Sequence, residues 1–490
     1  MKNYLDLPLE ELHRALLKKE TTPLALAKLA LERAKEDKDN CFEYLDEEGA
    51  LSFAASLKEP EEDNLLWGIP YFAKDNFSTK GIPSTASSNI LNGYVPVFDA
   101  TVIERLKAKK AVLLGKTTLD ELAMGGTGTS GHLGITYNPY DPTHKREIGG
   151  SSCGSAAAIA SSIALFALGS DTGDSVRKPA SFGGLVGLKP TWGRISRYGL
   201  FPFAPSLDAV GFFSRDVFTS AALLSVLAGR DEKDSTSSAK EVPDYIEATK
   251  KDPKGLRVAI IKEILENISD KKLLSSFEKS VEAMREKGII VEYVSFPKDL
   301  LEAIYPTYMV ISCAEATSND ANLDGIKFGP YRGGNSYQEV MFNARNQGFS
   351  ELIKRRFVIG SYCLMRENQE ELFLRAQKVR AKIVKTTNDI LKDCDFIYVP
   401  ASPSVAPSFE KASDRLSDEY LIADNHLALG NFAGLPSITL PLALEDGLPL
   451  GINFTGRAFE EEKLFTIASA FEKISGLASL SAISPKEGNL

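Results

Sequence analysis

Hydrophobic positions along the chain fall into three textures. Over residues 1–60 they recur every three or four places, with Leu9, Leu12 and Leu16 on one face and, after Pro23, Leu24, Ala27 and Leu31 on another. That period predicts helices packed on the outside of a larger body. Near Trp67 the pattern breaks into short apolar runs punctuated by Gly-Ile-Pro. A helix at 100–109, a strand at 111–114 and a second helix at 118–124 follow, the alternation of an α/β core. From 216 to 395 helical spacing returns with charge runs such as Asp270-Lys-Lys, interrupted by strand-like segments at 258–261 and 289–294, and this stretch reads as a largely helical insert or cap. A strand at 396–400 and a pair flanking the Asp446-Gly447 turn then close the sheet.

One stretch departs from all three textures. Residues 149–199 thread ten glycines and nine serines among small apolar side chains, too many for a plain core. Glycine suits places where the backbone must approach something closely, and serine suits helix caps or reactive hydroxyls. The clusters GGSSCGS (149–155) and GSDTGDS (169–175) are separated by an apolar segment that predicts a buried helix at 154–162 and a strand at 164–169, with another helix starting around Ser175. Backbone N–H groups left free in such turns stabilise an anion, either a phosphate or the oxyanion of an acyl-transfer intermediate.

Composition narrows the classes. The 490 residues carry a net charge of −9 with no strong basic block, so this chain is not expected to form the main surface for a nucleic acid. The amphipathic, mixed-charge N-terminus lacks a signal-peptide core, and no apolar run reaches membrane-spanning length. The expected location is cytoplasmic, with no membrane contact. Five scattered cysteines, none in C-x-x-C spacing, argue against a disulfide framework or a metal site.

Four short motifs are weakened by their contexts. Gly126-Thr-Gly128-Thr-Ser-Gly131 spells a dinucleotide fingerprint but follows a predicted helix rather than a strand. Gly115-Lys116-Thr117 resembles the end of a phosphate-binding loop, yet Lys110 stands where its first glycine is required. Gly150-Ser-Ser152-Cys-Gly154 matches a nucleophile elbow without the preceding strand, and the only downstream histidine is His426. Ser175-Val-Arg-Lys178 is an S-x-x-K sequence whose companion motifs S-D-N and K-T-G are absent.

The two Gly/Ser clusters, with Lys74 in GIPYFAKDNFSTKG upstream, resemble the amidase signature family of Ser-Ser-Lys amide hydrolases. The flanking segments DATVIERL, LGKTTLDELAMG, GLKPTWGRISRYGLFPFAPSLD, AQKVR and GLPLGINFTG are similar to the branch of that family formed by the A subunits of bacterial glutamyl-tRNA(Gln) amidotransferases. The similarity runs from about residue 5 to about 475. It implies an α/β/α sandwich around a large mixed sheet, built as one domain over 1–490, with a catalytic core at 61–215 and a C-terminal return at 396–490.

The resemblance also implies chemistry. Ser175 would be the nucleophile, Ser151, usually on a cis peptide, the relay, and Lys74 the base, with the backbone N–H groups of Thr172, Gly173, Asp174 and Ser175 as the oxyanion hole. A lysine can act so only if its surroundings keep it neutral. The substrate would be glutamine, its α-ammonium received by Asp424 and its α-carboxylate by Arg356, with Arg355 as the neighbouring alternative and Tyr308 nearby. Asp171 and Arg177 would brace the loop. No cofactor is implied for this chain; ATP and Mg would be used by a partner B subunit, which would also hold most of the tRNA, while a small C subunit braces the pair. The rival functions are a free-standing amidase and a catalytically silent scaffold. Cys153 and Asp174 stand where the family usually has glycine, and Lys178 where it usually has glutamine. Asp174 is expected to point away from the reaction centre, with Lys178 as its partner.

Overall fold

The strand that ends in Lys74 lies inside a sheet with both faces covered. The structure, a computed structural model, describes residues 3–410, 417, 419–483 and 486–490. Among these, β1 (Phe42–Leu45), β2 (Pro70–Lys74), β3 (Val112–Thr117), β4 (Phe166–Asp171), β5 (Val186–Lys189), β6 (Ala209–Ser214), β7 (Arg257–Ile261), β8 (Ile290–Val294), β9 (Phe396–Pro400), β10 (Ser437–Glu445) and β11 (Leu448–Gly456) form one sheet. Its order is β1-β3-β2-β4-β6-β5-β10-β11-β9-β7-β8. Every residue of β2, β4, β5, β6, β9 and β11 is buried, as expected for strands with helices on both sides. The end strands β1 and β8 keep partly exposed positions.

The sheet is mixed. β2 runs parallel to both β3 and β4, and β7 runs parallel to β8 and β9. The remaining pairs are antiparallel, including the β10–β11 hairpin, whose Asp446 (φ 50°) and Gly447 (φ 81°) supply the two positive φ values that a tight hairpin turn needs. Because β2 and β4 are parallel neighbours, their carboxyl ends, Lys74 and Asp171, emerge at the same edge of the sheet. Ligand sites of open α/β sheets lie at such edges.

The N-terminal periodicity becomes the helices Leu9–Leu17, Pro23–Lys35 and Glu47–Ser56, the second opened by Thr22, whose hydroxyl accepts from Ala25 N at 3.1 Å. The strand β1 interrupts them, a difference from the all-helical reading of this region. Its four residues are too short to stand out from the helical pattern, and the antiparallel partner β3 stabilises it from far along the chain. The helix expected at 118–124 is also corrected. Only a three-residue turn, Glu121–Ala123, forms there, and Leu122 (φ 51°) and Ala123 (φ 60°) adopt left-handed backbone incompatible with a helix. The segment 216–395 is mostly helical, but β7 and β8 extend the main sheet instead of standing apart from it. In the Gly/Ser stretch the helix is Cys153–Ala160 and the strand begins at Phe166, with Ser162 (φ 52°) turning the chain between them.

Candidate active site

Lys74 closes β2 as a fully buried side chain, and strand alternation separates it from its acidic neighbour. Asp75 turns to Lys116 instead, at 3.2 Å. Lys74 Nζ lies 2.8 Å from Ser151 Oγ, 3.0 Å from Ser152 Oγ and 2.9 Å from Ser170 Oγ. Among the described residues no carboxylate pairs with it. Burial pushes the ammonium down to about 7, and the more distant Cys153, Asp120, Asp171 and Asp208 oppose that only in part. Ser152 donates its own proton to Ser170 O at 3.2 Å, so its oxygen faces Lys74 as an acceptor. Asn76 Nδ2 donates to Ser170 Oγ at 2.9 Å.

Ser151 follows a cis Gly150–Ser151 peptide, and Lys74 is the partner of its hydroxyl. Ser175 is buried beside this pair, with its carbonyl accepting from Ser152 N at 3.2 Å. Its hydroxyl makes no hydrogen bond among the described residues, so the contact between Ser151 and Ser175 is not closed in this structure. The backbone N–H groups of Thr172, Gly173, Asp174 and Ser175 likewise donate to no acceptor among the described residues. Four unspent donors in succession are what a developing oxyanion requires.

Asp171 and Arg177 hold that turn in place. The guanidinium spans both carboxylate oxygens, Nε to Oδ2 at 3.0 Å and Nη2 to Oδ1 at 2.9 Å, and also donates to Gly173 O at 2.7 Å and Asn431 Oδ1 at 2.6 Å. Burial would raise the Asp171 carboxyl, but Arg177 holds it down to about 2. Both side chains are fully buried. They act on the loop and not on a substrate.

Two further groups escaped the sequence reading. Asp120 donates its N–H to Ser151 O at 3.0 Å, and its carboxylate accepts from the N–H groups of Thr127, Gly128, Thr129 and Ser130 at 3.0–3.2 Å and from Ser130 Oγ at 2.8 Å. The glycine pattern that spelled a dinucleotide fingerprint therefore wraps an internal carboxylate. Ser152 and Ser170 were the other omission, since nothing in their spacing marked them as neighbours of Lys74. His426, the one candidate for an elbow-type triad, bonds the carbonyls of Pro400 (2.8 Å) and Ile422 (3.2 Å), and burial pushes it down to about 4.

The S-x-x-K lysine has the opposite electrostatics to Lys74. Lys178 Nζ meets Asp174 Oδ2 at 2.8 Å, Asp424 Oδ1 at 3.2 Å and Asp424 O at 2.8 Å. Burial alone would lower it, but the two carboxylates hold it above its ordinary value. It is an ammonium and not a base. The expected Asp174–Lys178 pairing forms. Asp424, expected to await a substrate ammonium, shares the same lysine.

A family model described as Amidase matches residues 25–465. The chain belongs to the amidase family. The A subunit of the glutamyl-tRNA(Gln) amidotransferase of Latilactobacillus sakei subsp. sakei is 39% identical over 479 residues, 96% of each chain. The crystal structure of the A subunit of the Thermotoga maritima glutamyl-tRNA(Gln) amidotransferase superposes with a TM-score of 0.79 at 36% identity, covering 96% of both chains. The native peptide amidase of Stenotrophomonas maltophilia gives a TM-score of 0.79 at 26% identity over 96% of this chain and 97% of its own. The α/β fold with a large mixed sheet and the amidase assignment agree with the sequence reading.

Within this amidase the recognition residues expected from sequence surround the Ser175 turn. Gly173, Asp174, Tyr308 and Asn425 share the walls of one small cleft, and the Tyr308 ring lies so close to Gly173 that a Cβ there would meet it at 3.0 Å. Tyr308 packs edge-on against Phe203, over which Arg356 also lies, 5.6 Å from the ring centroid. Arg356 contacts Met309 Sδ at 3.7 Å, has a buried Nε without a hydrogen bond, and pairs with no carboxylate among the described residues. Arg355 is exposed, so Arg356 is the arginine that faces this side.

Proposed function

We propose that this chain is the glutaminase subunit of a glutamyl-tRNA(Gln) amidotransferase, the activity named for its full-length relatives. One observation carries the chemistry: a lysine with no carboxylate partner, buried among three serine hydroxyls and pushed down to about 7. A neutral amine has two N–H donors and one lone pair. With the donors directed to Ser152 and Ser170, the lone pair faces the Ser151 hydroxyl.

Ser175 Oγ attacks the carboxamide carbon of glutamine, giving its proton to Ser151 as Ser151 gives its own to Lys74. The oxyanion is received by the free N–H groups of residues 172–175. As the C–N bond breaks, the proton returns from Lys74 through Ser151 to the leaving nitrogen, and ammonia departs. Water then repeats the sequence on the acyl-enzyme and releases glutamate. The ammonia passes to a partner B subunit, which uses ATP and Mg to activate glutamyl-tRNA, and a small C subunit completes a cytoplasmic heterotrimer. Arg356 and Asp424 hold the α-carboxylate and α-ammonium, with Tyr308 as the wall between the recognition side chains and the reacting turn.

The likeness to a peptide amidase keeps a free-standing amidase as the second reading. Native purification with mass spectrometry of co-purifying chains, combined with glutamine and peptide-amide hydrolysis assays on wild type and Ser175→Ala, separates the two. Accompanying subunits and Ser175-dependent glutamate release support the amidotransferase. A lone chain that prefers peptide amides refutes it.

A further inference from the structure

Three charged side chains converge beside the turn that carries Ser175. Asp174 and Lys178 pair one helical turn apart at 2.8 Å, and the same ammonium reaches Asp424 through its carboxylate at 3.2 Å and its backbone carbonyl at 2.8 Å. The Lys178 side chain is 9% exposed, against 20% for Asp174 and 26% for Asp424. The carboxylates thus reach open space while the ammonium is held behind them. Two carboxylates and one ammonium leave this group with one net negative charge. Glu147, the other acid near Lys178, is pushed up by burial to about 7 and adds only a part-charge at neutral pH.

We propose that Asp174 and Lys178 act as a coupled charge pair that sets the selectivity of the Asp424 pocket for an α-ammonium. Lys178 ties the Asp424 backbone to the reacting turn, and Asp174 cancels the charge that this tie introduces. One negative charge is left for the substrate. The proposal rests on the glutaminase reading and assigns the pair a specificity-determining role, with no contact to the reacting bond.

Single and double substitutions then have opposite signs. Lys178→Gln leaves two unbalanced carboxylates, so the pocket attracts an ammonium more strongly, while the unpaired Asp174 opposes the developing oxyanion and lowers kcat. Asp174→Asn leaves Lys178 to neutralise Asp424, so the attraction weakens. The double variant restores one net negative charge.

The test uses enzyme purified natively with its accompanying subunits and two substrates, glutamine and 4-carbamoylbutanoate, which is glutamine without its α-amino group. The readout is the ratio of KM for 4-carbamoylbutanoate to KM for glutamine. It is expected to rise about tenfold in Lys178→Gln and fall about tenfold in Asp174→Asn, the lower range for a hydrogen bond to a charged group. In the double variant it returns to within about threefold of wild type, the span of ordinary additivity error. Lys178→Met repeats the measurement should Lys178→Gln fail to fold. Single variants that move the ratio in the same direction, or that change both KM values equally, overturn the proposal. A wild-type enzyme with no preference for glutamine over 4-carbamoylbutanoate removes the glutamine pocket itself and the proposal with it; a preference insensitive to the pair overturns the pair alone.

Discussion

The pH dependence of glutamine hydrolysis tests which lysine is the base. Holding Lys74 at about 7, where an ordinary lysine sits at 10.5, disfavours the ammonium by about 5 kcal/mol. At pH 8 an ordinary lysine is neutral in roughly 0.3% of molecules, whereas one at about 7 is neutral in roughly 90%, a gain of about 300-fold in competent enzyme. The sign follows from the role. A base works when unprotonated, so kcat/KM rises with pH, is half-maximal near 7 and falls about tenfold between pH 8 and pH 6. Lys178 makes the opposite demand: two carboxylates raise it, and a rate that depended on its neutral form would climb only above the range of an ordinary lysine. The assay is glutamate release at constant ionic strength from about pH 5.5 to 9.5, on wild type, Lys74→Ala and Lys178→Gln. Wild type should show the limb near 7, Lys74→Ala should be inactive at every pH, and Lys178→Gln should keep the limb with kcat lowered by less than about tenfold. An active Lys74→Ala enzyme, or a wild-type limb centred above pH 9, would refute the reasoning.

Three other substitutions probe separate parts of the site. Arg356→Leu should raise KM for glutamine about tenfold while leaving the unfolding midpoint in place, because it removes a charge-assisted contact from a side chain that braces no carboxylate; steady-state kinetics with a thermal melt decide it, and unchanged KM would remove Arg356 from the pocket. Arg177→Met should destabilise the fold by about 3–5 kcal/mol, the cost of stranding the buried Asp171 carboxylate, read from urea unfolding. Gly150→Ala places a Cβ 2.0 Å from Asp120 Oδ2, so it should displace Ser151 and cut kcat more than a hundredfold, about 2.7 kcal/mol of barrier; near-normal kcat would show that the Asp120 cage tolerates movement.

Hydrophobic period carried the fold where elements were long or paired close by in sequence. The helices of 9–35, the β10–β11 hairpin and strands β7 to β9 stand within a few residues of where their patterns place them. Elements decided by distant partners were not legible. Strand β1 depends on β3, some seventy residues away, and the expected 118–124 helix gives way because Asp120 is drawn into a cage of N–H groups from 127–130 while Leu122 and Ala123 turn left-handed. Local propensity cannot register either competitor.

The same limit applies inside the site, where chemistry depends on which groups surround a charge more than on which residue carries it. The sequence contains two lysines plausible as a base, and spacing favours Lys178, one turn from Ser175. The fold reverses that order by giving Lys178 two carboxylates and giving Lys74 only hydroxyls. The glycine-rich run 126–131 follows the same logic. Its free N–H groups have the anion-binding character that the dinucleotide pattern suggests, but the anion they enclose is the carboxylate of Asp120, whose own N–H holds the carbonyl of Ser151. A backbone built to bind a phosphate from solution and one built to fix a catalytic segment from within present the same glycines. What separates them is whether an acidic side chain already fills the nest, and here one does.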